Sequence, residues 1–208
     1  MADFLTGSRA GLVIVGSGGL AREIAQAVPA IGYVDDDPAK HGRLVDGLPV
    51  LGGLDTIPAG ADVVVGVGAP ADRAALAARL PGLRFGAVIH ATVFVAATCT
   101  VGAGTVLLPQ VVLTAAVSVG AHVVVMPHVV LTHDDVIADF VTIAAGVRLA
   151  GSVHIGEGVY LGQGALVREG LRIGAGSVIG MGAVVTRDVP PGEVWAGNPA
   201  RRLERTPR

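Results

Sequence analysis

Residues 101–125 read VGAGTVLLPQVVLTAAVSVGAHVVV. Valine or leucine returns at 101, 107, 113, 119 and 125, and the residue two places before each is again small or branched. The same phase runs without insertion from Val95 through Leu131, Ile137, Ile143, Leu149, Ile155, Leu161, Val167, Ile173 and Ile179 to Val185. A period of six fits neither the 3.6 of an α-helix nor the 2 of a lone strand. It is the period of a parallel β-helix, in which each hexapeptide makes one short strand and one corner. In the second inward series (Val93, Cys99, Thr105, Val111, Val117, Val123, Val129, then Val141, Val147, Val153, Val159) one acid, Asp135, interrupts the small and branched residues.

Composition agrees. The chain has 208 residues, half of them apolar, with 31 glycines and only four Phe, two Tyr and one Trp. A core of Val, Ile, Leu and Ala with abundant Gly suits tightly turning β structure. A net charge of −2 leaves no electrostatic footprint for nucleic acid, the one basic cluster being the tail ARRLERTPR. A single cysteine, Cys99, permits no internal disulfide. No apolar run reaches the ~18 residues of a spanning helix, and MADFLTGSRAG lacks a signal-peptide layout. The expectation is a cytoplasmic protein with no membrane partner.

Residues 11–84 follow another rule. GLVIVGSGG is a strand running into a glycine turn, and LAREIAQAV carries helical spacing at Leu20, Ile24 and Ala27. IGYVDDDP reads as a second strand ending in acids, ADVVVGVG as a third ending in glycines, and APADRAALAARL as a second helix bracketed by Pro70 and Pro81. This order predicts a small Rossmann-like α/β domain with a parallel sheet over residues 1–86, and a β-helix domain with a C-terminal tail over 87–208. Ligands of such sheets sit at the carboxyl ends of the strands, so the turns GSGG, DDD and GVGAP are the loops of interest.

The hexapeptide run resembles the left-handed β-helix of hexapeptide acyltransferases, where three hexapeptides form one triangular coil and residues 18 apart stack. WAGNPARRL resembles the segment that closes many of them. With the GSGG, DDD and GVG turns in front, residues 11–203 resemble the sialic-acid O-acetyltransferase and nucleotide-sugar N-acetyltransferase family. The resemblance implies acetyl-CoA as acyl donor, no metal, a nucleotide-sugar substrate and a homotrimer whose cofactor groove and base are shared between neighbours.

LTHDDVIADF, residues 131–140, then gains a meaning. Leu131 and Ile137 keep the repeat, so His133 and Asp134 fall at a corner. Imidazole, with an ordinary pKa near ~6.5, accepts a proton at neutral pH, and an adjacent carboxylate can fix one tautomer and stabilise the imidazolium. By the resemblance, His133 is the general base and Asp134 its acidic helper. No Ser or Cys stands at His133 to form an acyl-enzyme, so transfer is expected to be direct. Asp135 could face the prism with a partner, turn outward, bond a corner amide or help orient His133. The resemblance further places Gly151, 18 residues on, at the thioester as an oxyanion donor. It also maps cofactor contacts to Thr142, Gln163 and Met181. Relatives often carry histidine where this chain has Thr142.

In the first domain, backbone amides at a helix start can bind phosphate. The turn at residues 16–19 lacks the third glycine of a dinucleotide fingerprint, which weakens a redox reading. The resemblance maps substrate contacts to Gly18, Gly19, Leu20, Asp35, Asp36 and Gly68. Leu20 stands where many relatives have histidine. His128 and His133 lack the partner two coils upstream that a β-helix zinc site needs, Thr92 occupying that register. His122, His128 and His154 are expected at the surface or an interface, and His90 near the domain junction. The leading function is acetylation of an amine on a nucleotide-linked sugar. The alternatives are sugar O-acetylation and a non-catalytic nucleotide-sugar-binding trimer.

Overall fold

The computed structural model describes residues 11–204. The readings of the extreme N-terminus and of the last four tail residues lie outside them. Among the described residues no helix is long and apolar enough to cross a membrane.

The chain opens with β1 (Leu12–Val15), α1 (Gly19–Ala27) and β2 (Gly32–Val34), followed by β3 (Leu44–Val45), β4 (Leu48–Gly52), β5 (Asp62–Val65), α2 (Pro70–Ala78) and β6 (Arg84–Phe85). The sheet order is β3-β4-β2-β1-β5-β6, parallel except for the β3–β4 hairpin. The three expected strands form its centre, and β1 and the Val63, Val64 and Val65 run of β5 are apolar and buried on both faces, as a sheet covered on both sides demands. The hairpin and β6 are additions to the expectation. Asp46 and Gly47 both have positive φ (48° and 83°) at the hairpin turn, the conformation an Asp-Gly pair favours.

From Val88 the chain winds into a three-walled prism of two-residue strands. The first wall stacks Val88–Ile89, Val106–Leu107, Val124–Val125, Thr142–Ile143, Tyr160–Leu161 and Val178–Ile179, and is closed by the Val194–Ala196 and Arg201–Leu203 hairpin. The second stacks Phe94–Val95, Val112–Leu113, Val130–Leu131, Arg148–Leu149, Leu166–Val167 and Val184–Val185, and the third Thr100–Val101, Ser118–Val119, Val136–Ile137, His154–Ile155 and Arg172–Ile173. Partners are parallel and 18 residues apart, as in Val124↔Thr142. After Val185 one corner is shortened, so Val189 bridges Ile173, 16 residues back.

From Leu107 onward the apolar members of both inward series are buried in one continuous core, and Val93, Val95, Cys99 and Val101 of the first coil pack against it half-buried. Every sixth corner residue from Gly104 to Gly182 has positive φ: glycine at 104, 146 and from 158 onward, and Gln110, Ala116, His122, His128, Asp134, Phe140 and Ser152 between. The first domain sits on the outer face of the first wall, where Val88, Val106, Leu108, Val124 and Met126 pack with Leu12, Ile14, Ala21 and Ile24.

His122, expected at the surface or an interface, lies where the two domains meet. It is buried, edge-on to Phe85 at 4.5 Å and stacked on Phe140 at 5.0 Å. Phe140 is its neighbour one coil on, and Gly104, one coil back, makes room: a Cβ there would lie 2.5 Å from His122 Nδ1. Burial, then the nearby Arg73 charge, holds this imidazole below its ordinary pKa.

Candidate active site

The corner between the second and third walls carries His133 and Asp134, both exposed. His133 Nδ1 lies 2.9 Å from Asp134 Oδ2. That contact orients the ring and leaves Nε2 free to meet a proton. Asp134 holds a left-handed backbone (φ 62°), and its N–H is tied 3.0 Å to the Ala115 carbonyl one coil back.

Asp135, the open question, faces the prism and is fully buried. It accepts from Thr132 N at 2.8 Å and Val153 N at 2.9 Å. Burial pushes its pKa up to about 6 against those two hydrogen bonds. It therefore pins the backbone beside His133 and that of the next coil, while Asp134 is the residue that touches the ring.

Gly151 lies beneath His133. A Cβ built on it would sit 2.2 Å from His133 Cε1, 2.3 Å from Nε2 and 2.8 Å from Nδ1. The imidazole thus occupies the volume a side chain would fill, and Gly151 carries no positive φ to require glycine for backbone reasons. Its N–H has no acceptor among the described residues.

A cleft of about 320 Å³ opens at the carboxyl ends of β1, β2 and β5, where the strand order reverses. Gly18, Gly19, Leu20, Asp35, Asp36 and Gly68 all line it. Gly18 caps α1 without any side-chain hydrogen bond, so the first N–H groups of that helix are available to an anion. Asp35 is occupied within the chain: its Oδ2 accepts from Ser17 N (3.0 Å), Ser17 Oγ (2.5 Å) and Lys40 Nζ (3.0 Å). Burial raises its pKa, but the hydrogen bonds from Ser17, Asp37 and Lys40 outweigh this and hold it below the usual carboxylate range. Asp36 forms a two-pronged pair with Arg79 at 2.5 and 3.1 Å, which lowers its pKa.

An adjoining cleft of about 190 Å³ shares Gly19, Leu20 and Gly68 with the first and adds Glu23 from α1 and Thr142, Tyr160 and Gln163 from the prism side. Thr142, mapped by the resemblance to the cofactor, has its hydroxyl engaged within the chain instead. Its Oγ1 donates to the Gly68 carbonyl at 2.7 Å and accepts from Arg73 Nη2 at 2.9 Å. Gln163 and the exposed Met181 stand one coil apart on the corner between the first and second walls.

The predicted residues therefore form two groups within one chain. The substrate set with Thr142 and Gln163 lies on the first-wall side, and His133, Asp134 and Gly151 lie at the opposite corner. Arg73, which the sequence reading passed over, joins the domains. It falls at helical spacing with the half-buried Leu76 and Ala77 of α2 and with the buried Leu80 just past the helix, and a charge at that spacing was the available signal. Burial pushes its guanidinium down to about 10.

A triangular hexapeptide prism with a corner imidazole and a nucleotide-type domain on one wall defines a hexapeptide acyltransferase. Residues 152–187 match the bacterial transferase hexapeptide (six repeats) family and residues 11–80 the PglD N-terminal domain. No curated protein sequence matches the chain. Among solved structures, a mutant of GDP-perosamine N-acetyl transferase from Caulobacter crescentus, in complex with CoA and GDP-perosamine, is 30% identical. It aligns over 94% of this chain and 97% of its own with a TM-score of 0.87. The acetyltransferase domain of PglB from Neisseria gonorrhoeae, in complex with acetyl coenzyme A, is 30% identical over 92% and 98% with a TM-score of 0.85. WeeI from Acinetobacter baumannii is 30% identical over 92% and 99% with a TM-score of 0.86. The chain belongs to the family of sialic-acid O-acetyltransferases and nucleotide-sugar N-acetyltransferases, with its Rossmann-like domain followed by a left-handed parallel β-helix.

Proposed function

We propose that this protein transfers the acetyl group of acetyl-CoA to the amine of a nucleotide-linked amino sugar, with His133 as general base. The observation that carries the assignment is the His133 ring, oriented by Asp134 and seated on the side-chain-free surface of Gly151. His133 Nε2 takes a proton from the sugar nitrogen as that nitrogen bonds to the thioester carbonyl carbon. The Gly151 N–H donates to the oxygen that becomes negative. The carbon–sulfur bond then breaks, and His133 returns the proton to the departing CoA sulfur. Asp134 stabilises the imidazolium between these events. Cys99 packs against the prism core with its Sγ 3.8 Å from the Leu113 carbonyl, which argues against a covalent intermediate on sulfur.

The acceptor would lie with its diphosphate against Gly18, Gly19, Leu20 and Gly68, and Asp35 and Asp36 near the base. Gln163 and Met181 would line the cofactor arm, and Thr142 would serve the junction between the sites through Gly68. His133 points away from the first wall of its own chain, so the acceptor must meet the base of another copy. The outward row of the second wall supplies a surface for that: Phe94 and Leu166 are exposed, Val112, Val130 and Val184 half-buried, with Arg148 the one charge. Three second walls around a common axis would bring the His133 corner of one protomer to the Gln163–Met181 corner of the next, giving a homotrimer.

The test is CoA release and product mass with paired UDP-, GDP-, dTDP- and CMP-linked sugars bearing either an amine or only hydroxyls at the acceptor carbon. Amine acetylation abolished in His133→Ala supports the reading. Acetylation of hydroxyls alone would move it to the O-acetyltransferase alternative, and nucleotide-sugar binding without any CoA binding would move it to a non-catalytic trimer.

A further inference from the structure

Arg73 is 1% exposed, and every acceptor around its guanidinium is neutral. Nε donates to the His122 carbonyl at 2.7 Å. Nη2 donates to the Phe140 and Val141 carbonyls at 2.8 and 3.1 Å and to Thr142 Oγ1 at 2.9 Å. These contacts anchor the cation on the prism. The remaining nitrogen, Nη1, reaches the other way, to the Val67 carbonyl at 2.7 Å and the Gly68 carbonyl at 3.0 Å. Thr142 Oγ1 adds a second donor to Gly68 O at 2.7 Å. Two successive carbonyls of the third glycine-bearing loop are thus drawn toward the domain junction.

In a trans peptide the N–H points opposite to the C=O. Drawing the Val67 and Gly68 carbonyls toward Arg73 turns the N–H groups of Gly68 and Ala69 away from it. Neither N–H has an acceptor among the described residues. Gly68 lines both clefts, and a Cβ on it would meet nothing within 4 Å, so that side of the loop is open. Simple fastening of the two domains does not call for a buried cation without a carboxylate, since apolar packing achieves it with less desolvation. What the guanidinium supplies and apolar packing does not is a fixed direction for two peptide planes.

We propose that Arg73 is a positioning residue of the nucleotide-sugar site: it holds the loop at residues 67–69 so that two backbone N–H groups face the diphosphate of the acceptor. This rests on the function proposed above. Thr142 acts with it, so the threonine that replaces a histidine of relatives works on the acceptor side through Gly68.

The experiment is calorimetric titration of the full chain with UDP, GDP, dTDP and CMP, and separately with CoA, for wild type, Arg73→Lys and Thr142→Val. Lysine keeps the charge but cannot span both sets of carbonyls. Arg73→Lys is expected to weaken binding of the preferred nucleotide by about tenfold or more, and Thr142→Val by about threefold, the sizes of two or more hydrogen bonds and of one. CoA affinity stays within about twofold in both, because a local loss of acceptor contacts does not reach it. Wild-type protein that binds no nucleotide defeats the parent function and this inference with it. A nucleotide-binding wild type whose affinity is unchanged in Arg73→Lys defeats the inference alone, as does an equal loss of nucleotide and CoA binding, which marks a purely structural role. Should Arg73→Lys fail to fold, Thr142→Val decides by the same two readouts.

Discussion

Replacing Gly151 by alanine separates the chemistry from the fold. The new Cβ would stand 2.2 Å from His133 Cε1 and 2.3 Å from Nε2, where carbon contacts relax only at about 3.5 Å. The ring must therefore move by roughly 1.3 Å. A displacement of ~1 Å at a reacting group costs on the order of 100-fold in rate, about 2.7 kcal/mol in activation free energy. Stability should barely change. The backbone at Gly151 suits alanine, and His133, 65% exposed, can swing into solvent. A loss below about 1 kcal/mol shifts the melting temperature by no more than about 4 °C for a chain of this size. The assay is CoA thiol release, read with a chromogenic thiol reagent, under saturating acetyl-CoA and acceptor. His133→Ala should lose about 100- to 10,000-fold, and adding Gly151→Ala to it should cost nothing further, since both act through one ring. A Gly151→Ala enzyme with wild-type kcat, or a double mutant whose losses multiply, would refute the reasoning.

Three further outcomes are expected. Asp135 has a folded-state pKa of about 6, above its ordinary 3.8, so its contribution to stability is complete below about pH 4 and lost as pH rises through 6. Two pH units correspond to ~3 kcal/mol, so denaturant midpoints of Asp135→Asn relative to wild type should shift in the variant's favour between about pH 4.5 and 7.5, and a flat difference would contradict the buried ionisation. Ala116 holds φ 52° at an exposed corner. The left-handed cost of ~1–2 kcal/mol exceeds the ~0.4–1 kcal/mol by which glycine loosens the unfolded chain, so calorimetry should show Ala116→Gly melting higher. Phe94→Asp with Leu166→Asp places carboxylates on the apolar second wall. Sedimentation should show loss of the proposed trimer and activity should fall with it, while an active monomer would end the shared-site proposal.

The prism was legible because one number, six, governs both burial and corners, and the residues 18 apart that the period predicts to stack do stack, as at Val124↔Thr142. The same arithmetic gives His122 its coil neighbours Gly104 and Phe140, but not its burial: the same corner phase is exposed at Ala116, His128 and Asp134, and the cover at His122 comes from Phe85 of the first domain. The β3–β4 hairpin was signalled by Asp46-Gly47 between short apolar runs, a cue lost among the neighbouring glycines. Asp135 could be assigned to an inward slot from its phase alone, but its partners are backbone N–H groups, which sequence does not mark. The separation of His133 from the first-domain cleft is a fact of which wall that domain covers, and no local pattern encodes it. The contacts of Arg73 with the prism reach 49 to 69 residues along the chain, beyond any motif.

The coil also behaves as a ruler. One turn consumes 18 residues and advances by about 4.8 Å, so the height separating His133 from any contact above it changes only in whole steps. Duplicating one complete turn between the two would leave every residue on its own wall while demanding a longer acyl carrier. Deleting a single residue would instead rotate everything beyond it, turning core outward. Length along this axis is the dimension in which the enzyme can be redesigned most simply, and phase around it the one that tolerates least.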